Sequence, residues 1–497
     1  MIWEQGRWWT YEEITLRARS LAHHLVHECG LSTGERVALY WDNSADAITA
    51  SFGIWIAGGV LVALNTDLRD RALAFQIEHS DARVVVAGRR QLRHLLPALE
   101  HTSSVSTVIA DGPLPPPQSI SQRLVSWSQV AAEGPALAEP VRTIDVDLAA
   151  IVYTSGSTGE PKGVMLSHLN LVSNMRSIVG YLELTEADRV MMILPHFYIY
   201  GLSLVLTHVL VGGSIVLDNR FMYPNTILQT MHETQATGFA GVPSTFSILL
   251  ARSTVRETSL PALRYVTQAG GAMPPAVQQE VADAFAPAAL FVMYGATEAA
   301  PRLSYLRPAD LPRKWGSIGK PVDNVDLFVG DQEGRPLPQG EEGELVARGS
   351  NITAGYWKDP RATAEVLRNG LYYTGDLGVQ DEEGFLFVTG RAKEIMKVKG
   401  FRVSPREIEE HLTAIEGVAE AAVVAVPDEL LGEAPVAVLV AADGLRPAEE
   451  LLRAHMQKSL PAYKQPTHYV YVDALPRGAA GKVQKRLLTK QVQEVLQ

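Results

Sequence analysis

Between residues 10 and 28, apolar side chains recur at Ile14, Ala18, Leu21 and Leu25, a spacing of three and four that predicts a helix buried along one face. Thr10 ahead of it and Glu13 three residues on match the two halves of a capping box. Residues 36–40 then read as a short buried strand, 45–57 as a helix, and 60–64 and 84–86 as further strands. Residues 112–118, with four prolines, read as a surface loop. A second block repeats the alternation, with strands at 190–194, 214–217, 238–240, 265–268 and 290–293. Strand and helix patterns in turn imply βαβ units and parallel sheets.

From about Ser304 the texture changes. Short strands at 326–329, 343–348 and 384–389, separated by Gly and Pro, predict a β-rich module. After Gly390 it changes again, with a helix at 404–412 that has Pro405 at its first position, strands at 418–426, 435–441 and 469–472, and a helix at 447–459. That tail is long enough for its own α+β domain. The expected division is 1–390 for a large N-terminal part (β-rich from about 304), 391–393 for a hinge and 394–497 for a small C-terminal domain.

The chain has 497 residues, 46% of them apolar, enough for several cores. Its net charge of −11 argues against nucleic acid or an anionic membrane as a general partner. The tail from Arg391 is close to neutral, so the remainder carries the negative excess. A near-neutral end with basic clusters suits a lid that approaches phosphates, and ordinary surface variation explains it equally well. The single cysteine, Cys29, rules out an internal disulfide and a thiolate zinc cage. Neither a signal peptide nor a spanning apolar stretch is expected; residues 54–64 come nearest and are broken by glycines. A cytosolic location is the expectation.

Residues 153–163 read YTSGSTGEPKG, a segment too polar and too glycine-rich to be a helix or a core strand. Backbone N–H groups freed by Gly156 and Gly159, with the hydroxyls of Thr154, Ser155, Ser157 and Thr158 and the charge of Lys162, can wrap an oxyanion. The apolar run 148–152 precedes it and Ser167 opens a helical pattern beyond, so a strand–loop–helix context is expected. A Walker-type loop fails on spacing, because the second required glycine falls on Pro161 and Gly163 follows the lysine. The plain alternative is a flexible linker.

The segment resembles the phosphate loop of the acyl-adenylate-forming superfamily, which holds the acyl-CoA synthetases, peptide-synthetase adenylation domains and firefly-type luciferases. Four further matching segments follow in the family's order: YGATE at 294–298, YTGD at 373–376, GRAKE at 390–394 and PRGAAGK at 476–482. The resemblance implies a large N-terminal domain of two stacked α/β sheet subdomains plus a small distorted β-barrel, and a small mobile α+β lid. It implies that a carboxylate attacks the α-phosphate of ATP, releasing pyrophosphate and giving acyl-AMP, which is then transferred to a thiol. Such chemistry needs charge stabilisation and positioning, with no enzyme nucleophile.

By the same resemblance, adenine lies against Gly271, Ala272 and Tyr294, Thr297 reaches the α-phosphate, and Glu298 holds Mg²⁺. One carboxylate suffices because magnesium completes its shell with phosphate and water. Lys162 faces the outer phosphates, Asp376 and Arg391 the ribose, Lys393 is the hinge, and Gly400 lines the pantetheine tunnel. Lys482 bridges carboxylate and α-phosphate. Core packing for Tyr294, an Asx turn for Asp376 and a surface position for Lys482 are the bland alternatives.

The segment 196–201, with His196, Phe197 and Tyr200, corresponds to the family's acyl pocket, completed by Gly270, Gly295 and Ala296; His196 reads equally as a satisfied core histidine. No carboxylate appears there to meet a substrate ammonium, which favours an apolar or aryl acid over an amino acid. Coenzyme A is the expected acceptor, a carrier-protein phosphopantetheine the runner-up, and an inactive nucleotide-binding module the remote alternative. A homodimer stays open.

Overall fold

The computed structural model describes residues 1–113, 121–131, 135–155, 161–428, 431–442, 445–478 and 483–496. Most of residues 112–118, together with Gly156, Ser157, Thr158, Gly159 and Lys482, therefore lies outside the described residues.

An eight-stranded sheet runs in the order Gly355–Tyr356, Pro161–Ser167, Leu148–Ser155, Val60–Ala63, Arg36–Tyr40, Ala82–Ala87, Thr107–Ala110, Arg123–Ser126. The six strands from Leu148–Ser155 onward are parallel, and the first two close the edge antiparallel. The nine-stranded sheet centres on the parallel strands Ser214–Leu217, Arg189–Met192, Gly238–Gly241, Tyr265–Gln268 and Ala289–Gly295.

Three helices lie between these sheets and give one face to each core. In Ala45–Ile56, Ala47, Ala50 and Ile54 pack with the first sheet while Ala45 and Ile48 pack with the second. His168–Leu182 divides the same way, with Leu171 on one side and Met175 and Ile178 on the other. Ile199–Leu210 offers Ile199 and Leu202 to one core and Tyr200, Leu204 and Val205 to the other. Burial on both sides is why this last helix is apolar nearly all round.

A five-stranded antiparallel sheet, Val325–Gly330, Gly343–Gly349, Leu367–Arg368, Leu371–Gln380 and Leu386–Arg391, follows. A second five-stranded sheet carries the C-terminal part, backed by the helices Pro405–Thr413, Glu449–Ser459 and Lys485–Leu496. This mixed α/β arrangement, large body and small C-terminal part, is the fold class expected. Among the described residues no helix is long and apolar enough to cross a membrane.

Two expectations are corrected. The phosphate segment is not strand, loop, helix: Leu148–Ser155 turns back into a second strand, Pro161–Ser167, before the helix His168–Leu182 begins. Lys162 is thus a strand residue paired with Thr154, and Ser155 pairs with Pro161. Pro, Lys and Gly at 161–163 obscured the strand, which Val164 and Leu166 then bury. The texture change near Ser304 likewise has another cause. Arg302–Leu306 and Lys320–Pro321 add antiparallel to the edge of the nine-stranded sheet, and the β-rich module begins at Val325.

Candidate active site

Tyr294 and Gly295 end the strand Ala289–Gly295, and the turn Thr297–Ala299 follows at its carboxyl end, where open α/β sheets bind ligands. The tyrosine hydroxyl donates to Asp376 Oδ2 at 2.6 Å. The other carboxylate oxygen, Oδ1, takes the Nε–H of Arg391 at 2.8 Å. Asp376 and Arg391 face each other across paired strands, so the ladder itself sets their distance. Burial, then the neighbouring Asp376 charge, pushes the Tyr294 phenol far above its usual range, so it remains a donor. Asp376 also donates its N–H to Thr374 Oγ1, a turn made by the threonine hydroxyl; no described hydrogen bond gives the Asp376 carboxylate the Asx turn of its bland alternative.

A second cluster surrounds Glu298. Its Oε1 accepts from the Tyr356 hydroxyl at 2.7 Å, and its backbone carbonyl accepts the Thr353 N–H at 2.8 Å. Lys162 Nζ lies 5.1 Å from the centre of the same Tyr356 ring. Burial first, and the Glu298 charge second, hold the Tyr356 phenol protonated. One glutamate oxygen is thus oriented, and the other has no hydrogen bond among the described residues, where no cluster of three metal-type ligands exists. A hard cation that draws its remaining ligands from phosphate and water fits such a single carboxylate.

Gly295 has a steric reason to be glycine. A Cβ there would overlap the Pro301 carbonyl oxygen, whose partner is the Ala296 N–H at 2.9 Å. Gly270 has φ +87°, and the Gly271 carbonyl accepts from Gln268 Nε2 at 2.9 Å, shaping the loop that also carries Ala272.

The pocket expectation divides. Tyr200 is buried, its hydroxyl 2.9 Å from Thr267 Oγ1. Phe197 packs in the core shared with the first sheet. His196 is 2% exposed; Asn43 Oδ1 takes both its backbone N–H, at 2.8 Å, and its Nδ1–H, at 3.0 Å. That tautomer leaves Nε2 a bare acceptor, and it has no partner among the described residues. Burial lowers the imidazole to about 4, so it is neutral at pH 7.

Lys393 sits in the turn Ala392–Glu394, with Nζ 4.0 Å from Glu365. Gly400, φ +83°, turns between Met396–Val398 and Phe401–Val403, with open space where a Cβ would be. No described hydrogen bond or ion pair joins it to the Asp376 cluster.

A family model described as AMP-binding enzyme matches residues 1–357, and a second, AMP-binding enzyme C-terminal domain, matches residues 407–482. The chain belongs to the AMP-binding enzyme family. This AMP-binding enzyme is 34% identical over 478 residues to a feruloyl-CoA synthase of Amycolatopsis sp, covering 96% of this chain and 92% of the relative. It is 30% identical to a long-chain-fatty-acid–CoA ligase of Bacillus subtilis (strain 168), covering 98% and 91%. Among solved structures it superposes on an anthranilate CoA ligase in complex with anthranoyl-AMP with a TM-score of 0.89 at 26% identity, covering 99% and 93%.

Tyr356, Thr353 and Arg302 had no signal in short motifs. Their contacts span more than 50 residues of sequence, Tyr356 and Thr353 with Glu298 and Arg302 with Tyr200. The run of residues 351–357, polar and aromatic between two β segments, was the only local cue.

Proposed function

We propose that this enzyme uses ATP to convert an apolar or aryl carboxylic acid to its acyl adenylate, releasing pyrophosphate, and then passes the acyl group to the thiol of coenzyme A. The observation that carries the reading is that one strand end feeds two anion-handling clusters. Tyr294 meets Asp376, which Arg391 holds, on one side of Gly295, and on the other Glu298 meets Tyr356, over whose ring Lys162 Nζ lies. The first suits a ribose and its adenine, the second a metal-bound triphosphate. Relatives that act on ferulate and long-chain fatty acids, and a neighbour that holds anthranoyl-AMP, support the same chemistry.

In this reading the acid's own carboxylate oxygen attacks the α-phosphorus and pyrophosphate leaves. Asp376 accepts the ribose hydroxyls while Arg391 fixes its carboxylate. Thr297 donates to the α-phosphate, and Lys162 offsets charge at the outer phosphates. Glu298, oriented by Tyr356, would be the protein ligand for Mg²⁺, which would supply positive charge against the triphosphate. Lys482, with the hydroxyls of Thr154, Ser155, Ser157 and Thr158, completes the set; Lys393 is the pivot of residues 394–497, and Gly400 lies along the thiol path.

The test is acid-dependent pyrophosphate release with Mg²⁺ and ATP, with acyl-AMP detected by mass spectrometry. Coenzyme A and a phosphopantetheinylated carrier protein are then offered in parallel. Acyl-AMP followed by acyl-CoA supports the reading, and transfer to the carrier alone moves the acceptor. Pyrophosphate release from no acid defeats it.

A further inference from the structure

Arg302 is 2% exposed, and no carboxylate among the described residues forms an ion pair with it. Its Nε is buried without a hydrogen-bond partner. Its main chain is held hard: the N–H donates to Asn174 Oδ1 at 2.9 Å, and the carbonyl accepts from Asn174 Nδ2 at 2.8 Å and Asn351 Nδ2 at 2.9 Å. The residue pairs in register with Gly295. Its guanidinium lies 4.9 Å from the centre of the Tyr200 ring, in the segment expected to line the acyl pocket. Tyr181, whose hydroxyl donates to Met293 Sδ at 2.9 Å, is its other polar neighbour.

A guanidinium has five N–H donors and cannot shed its charge. Burying it without a counter-charge is costly, and an apolar residue of similar volume packs such a place at lower cost. Cation–π contact with Tyr200 and the Tyr181 oxygen recover part of that. The Nε–H stays unspent, beside the Tyr200 ring of the expected pocket wall.

We infer that Arg302 is a specificity-determining residue that reads the far end of the acid. The preferred substrate carries, away from the carboxyl group being activated, a second oxygen acceptor. This rests on the adenylation reading and narrows its acid, replacing a fully apolar far end by one that carries an acceptor. A distal carboxylate and a phenolic or keto oxygen share the required chemistry, and a fully apolar acid leaves the guanidinium unsatisfied in a dry site, the situation in which polar recognition discriminates most strongly.

The experiment compares matched pairs of acids by kcat/KM for pyrophosphate release: adipate against hexanoate, and terephthalate and 4-hydroxybenzoate against 4-methylbenzoate. The wild-type enzyme is expected to favour the acceptor-bearing member by about 10-fold or more. Arg302→Met is expected to erase that preference through KM for the acid, with KM for ATP unchanged and a melting temperature equal to or above that of the wild type. Arg302→Lys keeps the preference for the dicarboxylates and loses it for 4-hydroxybenzoate; it also decides the matter should the methionine variant fail to fold. The diacid arm and the phenol arm separate the two acceptor types. Turnover that ranks the apolar members first in wild type, with the same ranking in Arg302→Lys or Arg302→Met, overturns the inference alone. Turnover of no acid in the panel or beyond it overturns the adenylation reading and the inference together.

Discussion

The hydroxyl of Tyr356 points its proton at Glu298 Oε1 across 2.7 Å, joining residues 58 positions apart in the chain. A hydrogen bond to an ionised group contributes about 1.5–3 kcal/mol. Tyr356→Phe keeps the ring over which Lys162 sits and removes only the oxygen that aims the carboxylate. The Mg²⁺ concentration for half-maximal pyrophosphate release is expected to rise roughly 10-fold, with the fold intact by circular dichroism. An unchanged magnesium titration would remove Tyr356 from the metal's support.

Asp376 is the centre of the other cluster, and Asp376→Asn tests it. The amide can no longer take charged donation from Arg391 and offers N–H where an acceptor is wanted. Calorimetry with an adenine nucleotide should show affinity lost by about 10-fold or more. The effect should shrink with a nucleotide lacking both ribose hydroxyls, because the contact being tested is then gone in either protein.

Glycine positions give a steric contrast. Gly295→Ala drives a methyl into the Pro301 carbonyl and must displace the YGATE turn, so activity should fall by two orders of magnitude or more, on the scale of about 3 kcal/mol. Gly271→Ala meets only Pro243 at an ordinary 3.4 Å and has no positive φ, so the folded protein should tolerate it with wild-type melting. Equal loss of activity and stability in both variants would contradict this account.

His196 and His208 are both fully inside the body, and burial lowers each to about 4. The unfolded chain, with imidazoles near 6.5, binds more protons than the folded one between those values. Their contribution is therefore complete above about pH 6.5 and is lost as pH falls toward 4, worth roughly 3 kcal/mol per histidine over the whole span. Urea midpoints from pH 7 to 5 should drop steeply, and His208→Gln should flatten the slope. His208 is the better choice because its Nε2 bonds only to the Tyr265 hydroxyl, at 3.0 Å.

In the C-terminal part, Lys485 Nζ touches Glu409 at 2.8 Å and Glu394 at 3.0 Å, tying the last helix to the turn that holds Lys393. Lys485→Met should loosen that turn, with faster amide exchange at residues 391–396. The loss of stability is about 1–2 kcal/mol, modest because Glu394 is 40% exposed.

Much of the body could be read from period alone. The helix at Tyr11–His23 carries the capping box that Thr10 and Glu13 announce, and Arg36–Tyr40 falls on its expected residues. Motifs named Tyr294, Asp376 and Arg391, and these do meet. Pairing was harder to see. Pro161–Ser167 hides its strand behind proline and glycine, and Arg302–Leu306 looks like the start of something new because an antiparallel edge strand has the same texture as a β module. Residues whose value lies in a contact made far along the chain, such as Tyr356 and Arg302, carry no local periodicity to betray them.

Tyr356 belongs to a two-residue strand laid against Pro161–Ser167, and the next N–H, from Trp357, reaches the Gly163 carbonyl at 2.7 Å. The hairpin that leaves the phosphate segment and the residue steering Glu298 are rungs of one backbone ladder. A tug on either is transmitted as a shift of register, without any side chain as relay. Under the proposed function, any displacement of the phosphate segment and the aim of Glu298 then move together.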